Sequence, residues 1–271
     1  MTNMLLNIVE NNRTQSISSG LSRAMIIVIL ISCFSACAGN AFQTSSASKR
    51  VLKGADKALI HAQLAKGYLQ QKQYSVAKDE IDKALRISPN HSDANYVMAL
   101  LMMELEQYET AEKHFYKAVK SDRSNAPASH DFGMFLCQIG KESESIPYFE
   151  NAVNNPFFNK KELSYMRAGE CLARNGDVRA EDFLKKALNI DAKLRPALFH
   201  LAVIKHKEGS FFIARAYIER YFAITKPQPA ALLLAYRIES KLNAVAVAEE
   251  YRVKLLEGFP ASKEARLLRR K

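Results

Sequence analysis

The side chains of this 271-residue chain that are best suited to chemistry are four cysteines and six histidines. Cys137 and Cys171 are 34 positions apart, and two such thiols either form a disulfide or act as small buried side chains. No Cys-x-x-Cys and no His-x-x-x-His pair occurs, so the sequence predicts no metal site. A glycine-rich phosphate loop and a Gly-x-Ser-x-Gly turn are also missing. We therefore expect neither an enzyme active site nor a bound cofactor.

The other two cysteines, Cys33 and Cys37, end an apolar run that follows Arg23. This run, residues 24–36, is typical of the signal peptide of an exported protein. It has about thirteen residues, whereas a helix that spans a bilayer needs about 20. Both cysteines end a sequence similar to the bacterial lipobox, whose cysteine is diacylated and becomes the mature N-terminus. Cys33 has the better residue three places upstream, whereas Cys37 has the longer apolar run, so we favour Cys37. An uncleaved anchor or an ordinary signal peptide is the alternative.

The secondary structure that positions these residues is indicated by a sequence pattern that repeats every 34 residues. Each unit has a small residue, a second small residue twelve positions later, a bulky apolar residue after four more and an alanine after three more. This pattern predicts helical hairpins that stack on copies of themselves, with small residues where paired helices approach most closely. The fold class is therefore all-α, a right-handed α-solenoid of tetratricopeptide type. The columns are Ala65, Ala99 and Gly133; Ala77, Ala111 and Ser145; Ile81, Phe115 and Phe149; and Ala84, Ala118 and Ala152.

The apolar run predicts a signal peptide (1–36), the small and polar residues after it predict a flexible tether (37–56), and the period predicts a repeat domain (57–265). After Ala152 the spacing lengthens by two residues at a turn with two phenylalanines, 154–159, and one residue is lost at the next turn, 175–177. The last repeat is degenerate and is expected to cap the solenoid. The predicted repeats are 58–91, 92–125, 126–159, 162–194, 195–228 and 229–262.

Cys137 and Cys171 fall on the first helices of neighbouring repeats. These helices pack side by side, so the thiols could meet, and a bridge requires Cα atoms within about 7 Å. An exported chain lies in an oxidising compartment, where paired cysteines are usually bridged. The sequence therefore favours a disulfide, and two buried thiols are the alternative.

The chain carries 39 Lys+Arg against 28 Asp+Glu, a net charge of +11. The charges alternate in sign along the chain, which is typical of solvated helix faces, and only residues 266–271 form a basic cluster. No combination of aromatic and basic residues typical of an RNA-binding module occurs, so nucleic acid is not an expected partner.

The first helix of each repeat is expected to line the concave face of the solenoid. Several positions there are apolar although solvent should reach them, which favours a groove for an amphipathic helix or an extended peptide. The alternative is a tighter superhelix in which these residues are core. His130 lies on this face beside Asp131, where polar contact is a better interpretation than catalysis. The predicted groove residues are Leu59, Ala62, Lys66, Leu69, Tyr96, Leu100, Met103, His130 and Met134.

Three stretches together resemble one family, the type IV pilus biogenesis/stability lipoproteins of the PilF/PilW type. The resemblance covers about residues 50–262, and Arg167 departs from it where the family pattern favours asparagine. The stretches are 64–71 (LAKGYLQQ) with Tyr74 and Ala77-Lys78; 132–137 (FGMFLC), 148–152 (YFENA) and Asn155-Pro156; and 168–171 (AGEC) with Gly176-Asp177.

The resemblance implies an outer-membrane lipoprotein that faces the periplasm and acts as a pilotin. Such a protein helps the pilus secretin reach the outer membrane and multimerise, and so supports pilus formation and twitching motility. The implied partners are a secretin subunit, the lipoprotein sorting machinery and membrane lipid, through palmitate-type acyl chains on Cys37. The family pattern also suggests that Cys137 and Cys171 are bridged. The rival hypothesis is a tetratricopeptide lipoprotein that scaffolds cell-wall enzymes or outer-membrane assembly.

Overall fold

The computed structural model describes residues 53–269, and within them the secondary structure consists of thirteen α-helices. The predicted signal peptide, both lipobox cysteines and most of the predicted tether lie outside the described residues. The helices are α1 Gly54–Gln70, α2 Tyr74–Ile87, α3 Ser92–Glu104, α4 Tyr108–Ser121, α5 Ala126–Gln138, α6 Glu142–Asn154, α7 Lys161–Arg174, α8 Arg179–Ile190, α9 Arg195–Lys207, α10 Phe211–Phe222, α11 Pro229–Lys241, α12 Val245–Gly258 and α13 Lys263–Arg269.

Helices α1 to α12 pack as six consecutive hairpins, and each hairpin stacks on the next. The first helices of neighbouring repeats also contact each other: α5 packs against α7, and α7 packs against α9. Every residue of the four 34-residue columns is buried, including Ile81, Phe115 and Phe149 at 1 % exposure or less. The prediction of an all-α solenoid of tetratricopeptide repeats is confirmed.

Two glycines show why the period requires small residues where the helices of a hairpin meet. A Cβ at Gly133 would lie 3.0 Å from the ring of Phe149, and one at Gly169 would lie 2.6 Å from Cγ of Leu184. Because Cβ atoms essentially never come that close to another atom, a larger residue at Gly169 would push α7 away from α8.

The connection between the two helices of each hairpin contains a residue with positive φ. Glycine occupies this position in the third, fourth and fifth hairpins, where it adopts the conformation without steric cost. Lys72 and Glu106, with φ of 59° and 57°, adopt it in the first two hairpins at the cost of a Cβ clash. Asn243, in the last hairpin, is of a type that tolerates it better.

The ends of the described helices differ slightly from the predicted bounds. Helix α1 begins at Gly54, inside the segment assigned to the tether, and α13 extends past residue 265. Helix α13 buries Ala265 against Leu232, Leu233 and Leu255 of the sixth hairpin. It therefore covers apolar surface that the degenerate sixth hairpin, taken alone, would leave open.

Candidate functional site

Three of the predicted groove residues, Lys66, Tyr96 and His130, line one cleft with a volume of about 400 Å³. They come from the first helices of three successive repeats, α1, α3 and α5. The ammonium group of Lys66 lies 5.4 Å from the ring centroid of Tyr96, within the range of a cation–π contact. The hydroxyl of Tyr96 donates a hydrogen bond of 2.5 Å to the carboxylate of Asp131. Burial, reinforced by that carboxylate, raises the pKa of Tyr96, so the hydroxyl stays protonated as the donor.

His130 is held in place at the floor of the cleft. Its Nδ1 lies 2.6 Å from the hydroxyl of Ser164, and its ring is 5.8 Å from the rings of Phe149 and Phe158. Burial lowers the pKa of His130, which favours the neutral ring at pH 7. These contacts give His130 a structural role in shaping the cleft.

The loop 155–160, where the repeat is lengthened, forms one wall of the same cleft. The side chain of Asn155 accepts a hydrogen bond of 2.8 Å from the backbone of Phe157 and donates one of 2.6 Å to the carbonyl of Ser124. Phe158 is buried at 8 % exposure, whereas Phe157 is 93 % exposed. The loop is therefore tied down while it presents an aromatic ring to solvent.

The other six predicted groove residues do not line this cleft, and their burial varies. Ala62 is fully buried and offers no surface to a partner, because its neighbours in α1 and α2 pack over it. Leu69, Leu100 and Met103 are half-buried and pack against the core of the first three repeats. Leu59 is half-buried, and Met134 is 37 % exposed. Only Ala62 is therefore core, as the alternative interpretation expects, and the other five positions keep surface that a partner could contact.

Cys137 and Cys171 are joined by a disulfide in the structure, with their Cα atoms 5.8 Å apart. The bond connects α5 to α7 across the junction where the repeat is lengthened. Cys171 is fully buried beside the hydroxyl of Ser145, and Met134 lies in the shallow depression above the bond. The disulfide thus fixes α7, the helix that follows loop 155–160, to α5 of the preceding repeat.

A second cleft, of about 560 Å³, was not predicted from the sequence. It lies between α7, α8 and α9, and its apolar lining includes Phe199, Val203 and Ile204. One sequence feature does point to this cleft. The turn 175–177 is one residue shorter than the repeat pattern expects, and this turn and Val178 form one end of the cleft.

Within residues 53–269, no group of three or more His, Cys, Asp or Glu side chains is arranged to hold a metal ion. In the same part of the chain, each helix is too short or too polar to cross a bilayer.

Sequence comparison places this fold among known repeat proteins. The tetratricopeptide-repeat family matches residues 68–132. The type IV pilus assembly protein PilF of Pseudomonas aeruginosa is 25 % identical over 214 residues, which cover 78 % of this chain and 85 % of PilF.

Structural comparison gives PilF again, together with PilW, over a similar length. The crystal structure of PilW, described as a widely conserved type IV pilus biogenesis factor, superimposes with a TM-score of 0.66 at 28 % identity and covers 78 % of this chain and 97 % of PilW. The structure of P. aeruginosa PilF gives a TM-score of 0.67 at 24 % identity, with 80 % and 99 % covered. The chain is therefore a tetratricopeptide-repeat protein homologous to PilF and PilW.

Proposed function

We propose that this protein acts in type IV pilus biogenesis as a pilotin-type lipoprotein of the outer membrane. In this role it binds a subunit of the pilus secretin and promotes its targeting to the outer membrane and its multimerisation, which supports twitching motility. Homology to PilF and PilW over more than three quarters of the chain supports the role in pilus biogenesis.

The observation that carries the binding role is the exposed ring of Phe157 at the cleft of Lys66, Tyr96 and His130. An aromatic side chain that is 93 % exposed yet held by a tied loop loses little conformational entropy when a partner covers it. Aromatic residues of this kind are enriched among the side chains that dominate binding energy. We infer that Phe157 anchors a partner segment in this cleft.

The charges at the cleft favour a partner segment with carboxylates. Neither Lys66 nor Lys160 has a carboxylate of residues 53–269 within 4.0 Å. The acidic side chain of the cleft, Asp131, already accepts the hydrogen bond of Tyr96. Two ammonium groups are thus open to pair with an incoming acidic segment.

Acylation of Cys37, with Cys33 as the alternative, would hold the repeats at the membrane. A single acyl chain anchors only marginally, so a diacylated cysteine gives the more durable attachment. Tethering also raises the effective concentration of bound subunits next to the bilayer, which favours multimerisation without additional contacts. Replacing Cys37 by serine is expected to release the protein from the outer-membrane fraction, and Cys33→Ser is the matched control that should leave it there.

Co-purification of the secretin with the tagged protein tests the binding role. We expect the wild-type protein to retain the secretin and Phe157→Ala to lose most of it. The matched control is Phe212→Ala, which removes another exposed ring, 73 % exposed, from helix α10 outside the cleft. Retention of the secretin by Phe157→Ala would exclude this cleft as the site. Recovery of cell-wall hydrolases or barrel-assembly subunits instead of secretin would favour the scaffold hypothesis.

A further inference from the structure

The second cleft has the composition of a docking site that is separate from the first. Its apolar lining comes from three helices and from Val178, which precedes α8 and is 89 % exposed. A volume of about 560 Å³ falls within the range of roughly 300–1,000 Å³ that is typical of ligand sites. An apolar side chain as exposed as Val178 beside such a cleft gains free energy when a partner covers it.

The acidic side chains of this cleft are already neutralised within the protein. Each one pairs with a cation of the same or a neighbouring helix. Arg179 lowers the pKa of Asp177, and Lys185 together with Lys205 lowers the pKa of Glu181. The pairs are Glu170 with Arg167 at 2.8 Å, Asp177 with Arg179 at 2.8 Å, Glu181 with Lys185 and with Lys205 at 2.7 Å each, and Glu208 with Lys205 at 2.8 Å.

Two cations of the cleft have no such partner. Arg174, at the end of α7, and Lys207, at the end of α9, both line the cleft, and no carboxylate of residues 53–269 lies within 4.0 Å of either. An incoming segment therefore meets an apolar floor of Phe199, Val203 and Ile204 beside two open positive charges. The matching ligand has apolar side chains on one face and carboxylates next to them.

We propose that the cleft between α7, α8 and α9 is a second docking site, which binds an acidic amphipathic helix of a partner protein. The apolar face of the helix packs on Phe199, Val203 and Ile204, and Val178 covers its edge. Its carboxylates pair with Arg174 and Lys207. This site is independent of the cleft at Phe157, so the protein can hold two segments at once, which raises the overall affinity through effective concentration.

The test uses a defined probe and the full chain with its disulfide intact. The probe is a fluorescent helical peptide of about 14 residues, four turns, with leucines on one face and glutamates on the other. Two counter-probes replace the leucines by serines or the glutamates by lysines. Binding is measured by fluorescence anisotropy, and a photo-crosslinking version of the probe locates the contact by mass spectrometry.

The variant Arg174→Glu/Lys207→Glu is compared with Lys193→Glu/Lys226→Glu, which makes the same change in net charge at exposed lysines outside the cleft. The first variant should weaken binding of the acidic probe by about tenfold and the second by less than about twofold. Val178→Asp should weaken it as well, whereas Val245→Asp, at another exposed valine where a second helix begins, should not. Thermal melting confirms that each variant is folded.

We expect saturable binding of the acidic amphipathic probe, weak binding of both counter-probes and crosslinks to Val178 or Val203. Equal losses in the two charge variants would overturn the proposal, since they would indicate non-specific attraction to a basic protein. Equal binding of the serine counter-probe would also overturn it, because the apolar floor would then have no role. Crosslinks at Phe157 instead would assign the probe to the first cleft and exclude the second. Loss of secretin binding in Phe157→Ala leaves these outcomes unchanged.

Discussion

The hydroxyl of Tyr96 donates a hydrogen bond of 2.5 Å to the carboxylate of Asp131, 35 positions further along the chain. This bond joins the first helices of two neighbouring repeats, α3 and α5, inside the groove. The carboxylate keeps its negative charge in this bond, and it lies more than 4.0 Å from the ammonium groups of Lys66 and Lys160, which line the same cleft. One polar contact thus links two repeats at the cleft and satisfies the acidic side chain there.

Replacing Tyr96 by phenylalanine should destabilise the protein by about 1–2 kcal/mol, because the half-buried carboxylate of Asp131 loses its donor. Urea unfolding measures the change. Tyr116→Phe is the control, since Tyr116 is 50 % exposed and its removal should have little effect. Equal stability of the two variants would contradict the structural role of the bond.

Gly169→Ala should lower the free energy of unfolding by about 1–3 kcal/mol, because the added methyl group would overlap Leu184. Gly67→Ala, in the interior of α1, meets no atom within 4 Å and should instead stabilise the protein by about 0.5–1 kcal/mol. Chemical denaturation of both variants checks the opposite signs. A stabilising Gly169→Ala would show that α7 and α8 are further apart than described.

Lys72→Gly should stabilise the protein by about 0.5 kcal/mol, because glycine relieves the steric cost of positive φ. The greater conformational entropy of glycine in the unfolded chain offsets only part of this gain. Gln70→Gly, at the end of the preceding helix, lacks this benefit and should destabilise. The melting temperatures of the two variants should move in opposite directions, and a parallel decrease would exclude strain at Lys72.

Four histidines make the stability depend on pH. Burial lowers the pKa values of His114, His130, His200 and His206 in the folded protein. As the pH falls through about 6.5, the unfolded chain binds protons before the folded protein does, so stability decreases on the acidic side. Above that pH the histidines are neutral in both states and contribute no pH dependence.

A substitution at His206 tests this pH dependence most directly, because Nε2 of His206 is buried without a hydrogen-bond partner in the described residues. We expect His206→Leu to raise the stability at pH 7.5 and to reduce the loss between pH 7.5 and 5.5. Urea unfolding at both values measures this, and an unchanged loss in the variant would exclude His206 as a contributor.

The bond between Cys137 and Cys171 should be present in protein from an oxidising compartment. Intact mass under non-reducing conditions should be lower by two hydrogens than after reduction. Replacing both cysteines by serine should destabilise the protein by about 2–4 kcal/mol, because the bond closes a long loop in the unfolded chain. Two free thiols in the native protein would contradict the bond.

The periodic residues were predictable because each, like Phe115 or Phe149, occupies an equivalent buried position between helices. The groove was less predictable, since a position number does not reveal whether Leu69 faces solvent or the neighbouring repeat. The sequence marked loop 155–160 by its length and phenylalanines, but only tertiary structure brings Phe157 to the same cleft as Lys66. The shortened turn 175–177 marked one end of the second cleft, but its apolar floor on α9 becomes apparent only when α7, α8 and α9 are packed together.

The most direct test of the account is the state of the secretin in cells that lack this protein. Outer-membrane fractions are separated under conditions that preserve secretin multimers, and the multimers are detected by immunoblotting. We expect the multimers to be lost without the protein, restored by the wild-type chain and not restored by Phe157→Ala expressed at the same level. Normal amounts of multimer in the outer membrane without the protein would contradict its central claim.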